Sequence, residues 1–394
     1  MKTKLSRHIG NIKPGVSSFQ ILQKVFELRE RGIRVIDMSI GEPDLDTPLL
    51  IKRAAEQALE EGYTHYSPAG GLPELRRKIA EYETQRKGVK IYPEEVVVLP
   101  GGKPVLLYSI LALTDEDDEV VYFEPAFTSY RVALEMSLVK AVSVPLKFEL
   151  GFRPNFDELE RRITPRTRFI IVNSPHNPTG VVWSEEDVKR LVEIVEDHPE
   201  LMILSDEVYS TLVFKGKHVS PIQFAKERVI LLESFSKSFA MTGWRLGYGI
   251  FPAEMVPEIV KLVSHTISCT TTFVQRAGLA ALSPEGLAES RLISRIFEGR
   301  MRLATRLLKE IKGIRFVEPQ GAFYAFVDIS ATGMKSEEFA DWFLENYHVA
   351  IIPGTAYGPT GEGFVRISLA TSEANIREGL KRFKEAVERL THGT

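Results

Sequence analysis

Lys237 stands in the run Glu233-Ser234-Phe235-Ser236-Lys237-Ser238-Phe239-Ala240-Met241-Thr242-Gly243-Trp244-Arg245, among small and apolar residues rather than on a charged face. Taken alone it could be an ordinary partly buried amine. A desolvated lysine, however, has a lowered pKa and attacks carbonyls, which is the property that Schiff-base chemistry needs. Asp206 closes an apolar run at residues 202–205, so its carboxylate requires a cation or several hydrogen bonds, unless it serves as a helix N-cap. Tyr209 follows three residues later and could equally be a core residue with a satisfied hydroxyl. Gly101-Gly102-Lys103 opens a helix-period segment, where exposed backbone N–H groups suit a phosphate. It is not a nucleotide P-loop, because Pro104 follows the lysine and the glycine spacing differs.

Taken together, these groups meet the needs of one cofactor, pyridoxal 5'-phosphate: a lysine for the aldehyde, a carboxylate for the pyridine nitrogen, donors for the phenolic oxygen and a cup for the phosphate. A metal centre is poorly served. The eight histidines are scattered, no H-E-x-x-H or C-x-x-C occurs, and Cys269 is the single cysteine.

The elements that must position these groups follow one grammar, in which a short β-branched run leads to a polar loop and then a helix-period segment. Strands are predicted at residues 95–99, 119–123, 168–172, 201–204, 229–232 and 246–250. These runs are near-continuously apolar, as in strands covered on both faces. The pattern predicts an α/β fold, a three-layer αβα arrangement around a mostly parallel sheet. Ligands of such sheets bind at the carboxyl ends of the strands, and five of the predicted strands deliver Gly101 to Lys103, Phe127, Asn177, Asp206 with Tyr209, and Ser234 with Lys237 to that edge. Helices are predicted at 48–61 and 73–87, the second with Leu75, Ile79 and Tyr82 inward. A longer helix at 290–312 and strands at 315–317, 322–327 and 364–368 indicate a smaller α+β unit. We divide the chain into 44–285 and a unit formed by 1–43 with 286–394.

Composition narrows the class of partner. The 394 residues include 50 basic and 53 acidic side chains, a formal charge of −3, without the positive field that nucleic acid requires. Apolar residues make up 44% and charged residues 26%, ordinary globular values. No stretch reads as a membrane span or a secretory leader, and the lone cysteine suits a reducing compartment, so the expected location is the cytoplasm.

The segments Asn173-Ser174-Pro175-His176-Asn177-Pro178-Thr179-Gly180, Ser205-Asp206-Glu207-Val208-Tyr209 and Ser234-Phe235-Ser236-Lys237 with Gly243-Trp244-Arg245 resemble the signature of fold-type I pyridoxal phosphate aminotransferases of the aspartate/aromatic group. Gly41-Glu42-Pro43-Asp44, residues 63–71, Pro319 to Tyr324 and Val365-Arg366-Ile367-Ser368 extend the resemblance over nearly the whole chain. It implies that Lys237 carries the cofactor, Asp206 pairs with the pyridine nitrogen, and Asn177 and Tyr209 bond the phenolic oxygen. The phosphate would rest on the backbone of Gly102 and Lys103, on Ser234 and on Arg245, with Gly101 and Ser236 in the same cofactor-binding set. Phe127 would stack on the ring and Tyr66 would reach the partner's cofactor in a homodimer. Gly41, Asn177 and Arg366 would bind the substrate carboxylate. The implied reaction is a ping-pong transfer between an L-amino acid and a 2-oxo acid, with 2-oxoglutarate expected as one acceptor and the other substrate open among aspartate, aromatic and alanine-like ones. Lys103 matches a position associated with a distal carboxylate, yet Pro14-Gly15-Val16 and Phe127 depart from the aspartate-specific pattern. A C–S lyase of the same fold is the rival reading.

Overall fold

The computed structural model describes residues 5–10, 12 and 18–392. Pro14, Gly15 and Val16 lie outside them. A seven-stranded sheet is built from β1 (Val96–Leu99), β2 (Glu119–Glu124), β3 (Lys140–Pro145), β4 (Thr167–Asn173), β5 (Met202–Asp206), β6 (Val229–Ser234) and β7 (Gly247–Ile250). Its order is β1-β7-β6-β5-β4-β2-β3. Only β7 runs antiparallel to its neighbours, so β1 points the same way as β2 to β6. Every residue of β1, β2, β6 and β7 is buried, which follows from helices covering both faces.

The six expected strands are all present. The sequence pattern missed β3, an edge strand that starts on an exposed lysine and is mostly half-buried, so it carries no continuous apolar run. The flanking helices include α1 (Leu49–Glu60), α2 (Pro73–Lys87) and α3 (Lys103–Leu113). Gly88, in left-handed conformation at φ 67°, ends α2 and donates its N–H to the Thr84 carbonyl.

A second sheet has the order β10-β11-β9-β8, formed by β8 (Arg315–Phe316), β9 (Tyr324–Asp328), β10 (Ile352–Pro353) and β11 (Phe364–Ser368). It shares an apolar core with α4 (Pro284–Lys309) and α5 (Glu373–His392). α4 begins six residues before the expected start, because the Ser283 hydroxyl accepts the Gly286 N–H and Pro284 fits the first helical position. Ile36–Asp37 pairs in parallel with Val349–Ala350, and the Ser368 N–H donates to the Met38 carbonyl at 2.8 Å. These bonds bring the segment around Gly41 alongside β11.

Candidate active site

Because β1, β2, β4, β5 and β6 are parallel, their carboxyl ends share one edge of the sheet, and the loops leaving them surround a cavity of about 400 Å³. Gly102, Lys103, Phe127, Asn177, Asp206, Tyr209, Ser234, Ser236, Lys237 and Arg245 line it from that side. Gly41, Glu42, Tyr324 and Arg366 line it from the side of the second sheet. Gly101 lies directly behind the wall. With φ at 90° it adopts a backbone that disfavours side chains, and a Cβ there would run into the Arg245 guanidinium. Tyr66 is not in the cavity. It is 88% exposed on a separate depression shared with Tyr63, His65 and Cys269.

Lys237 sits in the short helical turn Phe235–Ser238, and its Nζ donates to the Gly41 carbonyl at 2.6 Å. Burial lowers its pKa to about 8; Arg366 and Arg245 push it the same way, while Glu42 and Asp206 oppose them. About a tenth of the amine is then free at pH 7, far more than for an ordinary lysine. Asp206 ends β5 and accepts from the Tyr130 hydroxyl at 2.5 Å and from the Val208 N–H at 3.3 Å. No cation pairs with it among the described residues, and burial raises its pKa to about 6. Its strand is anchored by Asn173, whose Nδ2 donates to the Asp206 carbonyl at 2.9 Å, while Asn173 Oδ1 accepts the Asn177 N–H at the same distance.

The Tyr209 hydroxyl pairs with that of Tyr324 at 2.7 Å, and burial keeps the Tyr209 phenol protonated. Arg366 donates from Nη1 to Asn177 Oδ1 at 3.1 Å and from Nη2 to the Ser39 carbonyl. Its guanidinium lies 4.3 Å from the Tyr324 ring centre, and its buried Nε has no hydrogen-bond partner. A buried guanidinium with spare donors is suited to a carboxylate. Ser234 Oγ accepts the Ser236 N–H at 3.2 Å, and the two hydroxyls are 2.9 Å apart. Arg245 adopts φ 53°, unusual for a residue with a side chain, and donates to the Thr242 carbonyl at 2.7 Å. Lys103 Nζ lies 5.6 Å from the Phe127 ring centre, with no carboxylate partner among the described residues. Burial, then Arg245, lowers its pKa.

Sequence reasoning left Tyr130, Tyr324, Glu42 and Thr242 without roles. Tyr130 had a signal: it stands three residues, nearly one helical turn, beyond Phe127, and the two rings meet edge to face at 5.7 Å. Glu42 accepts a hydrogen bond from the Thr242 hydroxyl, a contact across 200 residues with no local signature.

A partly buried electrophile-seeking amine, a buried carboxylate without a cation and a cluster of anion-binding donors in one cavity describe an enzyme acting through a carbonyl cofactor with a phosphate handle. The chain matches the family "Aminotransferase class I and II" over residues 33–383, and it belongs to that family. It is 42% identical to the aspartate aminotransferase of Pyrococcus horikoshii, over 93% of this chain and 94% of the relative. It is 37% identical to aromatic-amino-acid aminotransferase 2 of Thermococcus litoralis, over 93% and 95%. The structure of aspartate aminotransferase from Thermus thermophilus with maleate superposes with a TM-score of 0.93 at 36% identity, over 98% of this chain and all of that one. The chain is therefore a pyridoxal phosphate-dependent aminotransferase with the α/β fold of that group, and the C–S lyase reading is not favoured. No helix among the described residues is long and apolar enough to cross a membrane.

Proposed function

We propose that this aminotransferase moves the amino group between glutamate/2-oxoglutarate and a second amino acid, drawn from aspartate, aromatic and alanine-like substrates, by a ping-pong mechanism in the cytoplasm. The observation that carries this reading is a cation in the cavity beyond Lys237, Arg245 and Arg366. Arg366 is suited to the α-carboxylate common to all substrates, and Lys103 leaves an unpaired charge for a distal carboxylate.

The donor set fits the cofactor. Asp206 has no cationic partner among the described residues and would pair with a protonated ring nitrogen. Ser234, Ser236, Arg245 and the backbone of Gly102 and Lys103 form a cup for a phosphate, and Phe127 offers a ring face. Pyridoxal phosphate, when bound, supplies a carbonyl for the amino group and an electron sink for the bond electrons at Cα. Lys237 is assigned two tasks: holding the cofactor, and, once displaced, moving the proton from Cα. An amine that titrates at about 8 suits proton transfer near neutrality. Tyr209 and Asn177 would hold the phenolic oxygen, and Arg366 with Gly41 would orient the substrate. Tyr66, exposed on its own subunit, is assigned to the partner's cofactor in a homodimer. The two proposed units, 44–285 and 1–43 with 286–394, meet at this cavity.

A panel of amino donors against 2-oxoglutarate, run on the natural enzyme and on Lys103→Ala, tests the reading. KM for dicarboxylic substrates is expected to rise about 10- to 100-fold in the variant while aromatic donors change little, as for loss of one charge-assisted hydrogen bond. Unchanged dicarboxylate kinetics would remove Lys103 from substrate recognition.

A further inference from the structure

Behind the cavity wall lies a buried charge cluster that the reaction does not use. Strand alternation turns the neighbours of Asp206 and Ser234 toward the opposite face, where Glu207 and Glu233 meet the C-terminal turn of α2. Glu207 is fully buried. It accepts from Lys87, from His218 Nε2 at 2.7 Å, from the Ser205 hydroxyl at 3.0 Å and from the Ser220 hydroxyl. Glu83, also fully buried, accepts from Arg86 Nη1 at 2.7 Å and from the Tyr248 hydroxyl at 2.6 Å. Arg86 lies against the Tyr82 ring.

The charges do not balance. Three carboxylates, Glu83, Glu207 and Glu233, face two permanent cations, Arg86 and Lys87. Burial lowers the pKa of His218 against the pull of Glu207, so its ring is not counted as a permanent cation. Arg86 donates from Nη1 to Glu83 and from Nη2 to the Ser210 hydroxyl, and Lys87 donates to Glu207. Glu233 is the remaining acid, its Oε2 standing 3.6 Å from Arg86 Nη1, beyond hydrogen-bond reach. Its own bonds are to neutral groups: the Ser210 hydroxyl at 2.6 Å and the N–H of Ser234 at 3.0 Å. A carboxylate at 3% exposure whose one nearby cation is shared with Glu83 is costly, and one proton removes the cost.

We propose that Glu233 is a positioning residue that carries this single proton, so that Ser234 offers its hydroxyl to the cofactor phosphate beside an uncharged carboxylic acid. The proposal rests on the assignment of Ser234 to the phosphate cup. Its carboxyl is one peptide unit from the cavity and fixes Ser234 through the backbone N–H. Neutral, it orients the serine without repelling an anion. Burial holds Glu233 well above the usual carboxylate range against the pull of Arg86, with Glu83 adding to the rise.

The test is the pH dependence of binding of pyridoxamine 5'-phosphate, which has no aldehyde to react with Lys237. From about pH 7 to about pH 9, ionisation of Glu233 is expected to weaken binding by about tenfold or more, the scale of a unit charge at short range in a protein interior. Glu233→Gln, a permanent mimic of the protonated acid, is expected to lose most of that dependence. Pyridoxamine without the phosphate should not distinguish the two proteins. Parallel pH profiles for the natural protein and Glu233→Gln would overturn the proposal. If the variant does not fold, infrared titration of the natural protein still decides, since a buried protonated carboxyl must persist at neutral pH and ionise above it, and its absence also overturns the proposal. Ser234→Ala separates the underlying reading: unchanged pyridoxamine phosphate affinity there would remove Ser234 from the phosphate cup and take the proposal with it.

Discussion

Tyr130 gives the sharpest access to the electrostatics of the site. Its hydroxyl is the only side-chain donor to Asp206 among the described residues, at 2.5 Å, and both groups are buried. Asp206 titrates at about 6 instead of 3.8, chiefly because burial penalises its charged form. An acid whose folded pKa lies above its unfolded value costs stability as pH rises between the two. Here that cost accumulates from about pH 4 to about pH 6 and amounts to about 3 kcal/mol in the cofactor-free protein. Tyr130→Phe keeps the ring packing against Phe127 and removes the donor. A hydrogen bond to a charged group contributes about 1.5–3 kcal/mol, so the Asp206 midpoint should move upward by about one to two pH units. Urea denaturation of the cofactor-free natural protein should show stability falling through pH 6 and then levelling, as far as Asp206 is concerned. In Tyr130→Phe the fall should continue to about pH 7–8, so the gap between the two proteins widens by about 1.5–3 kcal/mol from pH 5 to pH 9. A gap independent of pH would refute the argument, because it would mean that Tyr130 only packs.

Two further substitutions test the geometry of the site. Lys237→Ala should reduce kcat by at least about 10³-fold, the scale of a lost general base, and intact mass after borohydride reduction should show no covalently held cofactor; an active variant would falsify the assignment. Gly41→Ala places a Cβ on the Tyr324 hydroxyl, forcing it from Tyr209 at a cost of about 1–3 kcal/mol in stability, read by urea denaturation, together with a fall in kcat/KM. Combining it with Tyr324→Phe, which vacates that space, should cost less than the sum of the two single changes.

The chemistry-bearing segments were legible because short motifs fix them. Lys237 and Asp206 were each ambiguous alone and gained a meaning from their shared place at the strand ends, while the Asn173 to Gly180 loop was legible through its resemblance to a known family. The strands feeding them stood out because burial on both faces demands unbroken apolar runs. β3 escaped for the opposite reason, since a half-exposed edge strand need not be apolar. The charged end of α2 was equally opaque: Glu83, Arg86 and Lys87 have the composition of a solvated helix terminus, yet Glu83 and Lys87 are buried and Arg86 half-buried because β5 and β6 end against them.

The sequence by itself determined which groups can form and hold a carbonyl–amine bond, because that chemistry depends on residue type and on the order of strand and loop. The tertiary structure decided how those groups are tuned. Tyr130 bonds Asp206 across 76 residues, Arg366 meets Asn177 across 189, and Glu42 meets Thr242 across 200. Each pairing places charge or a donor within a few ångströms, the first two in buried surroundings where electrostatic interactions are strong, and no local pattern in the chain encodes such a distance.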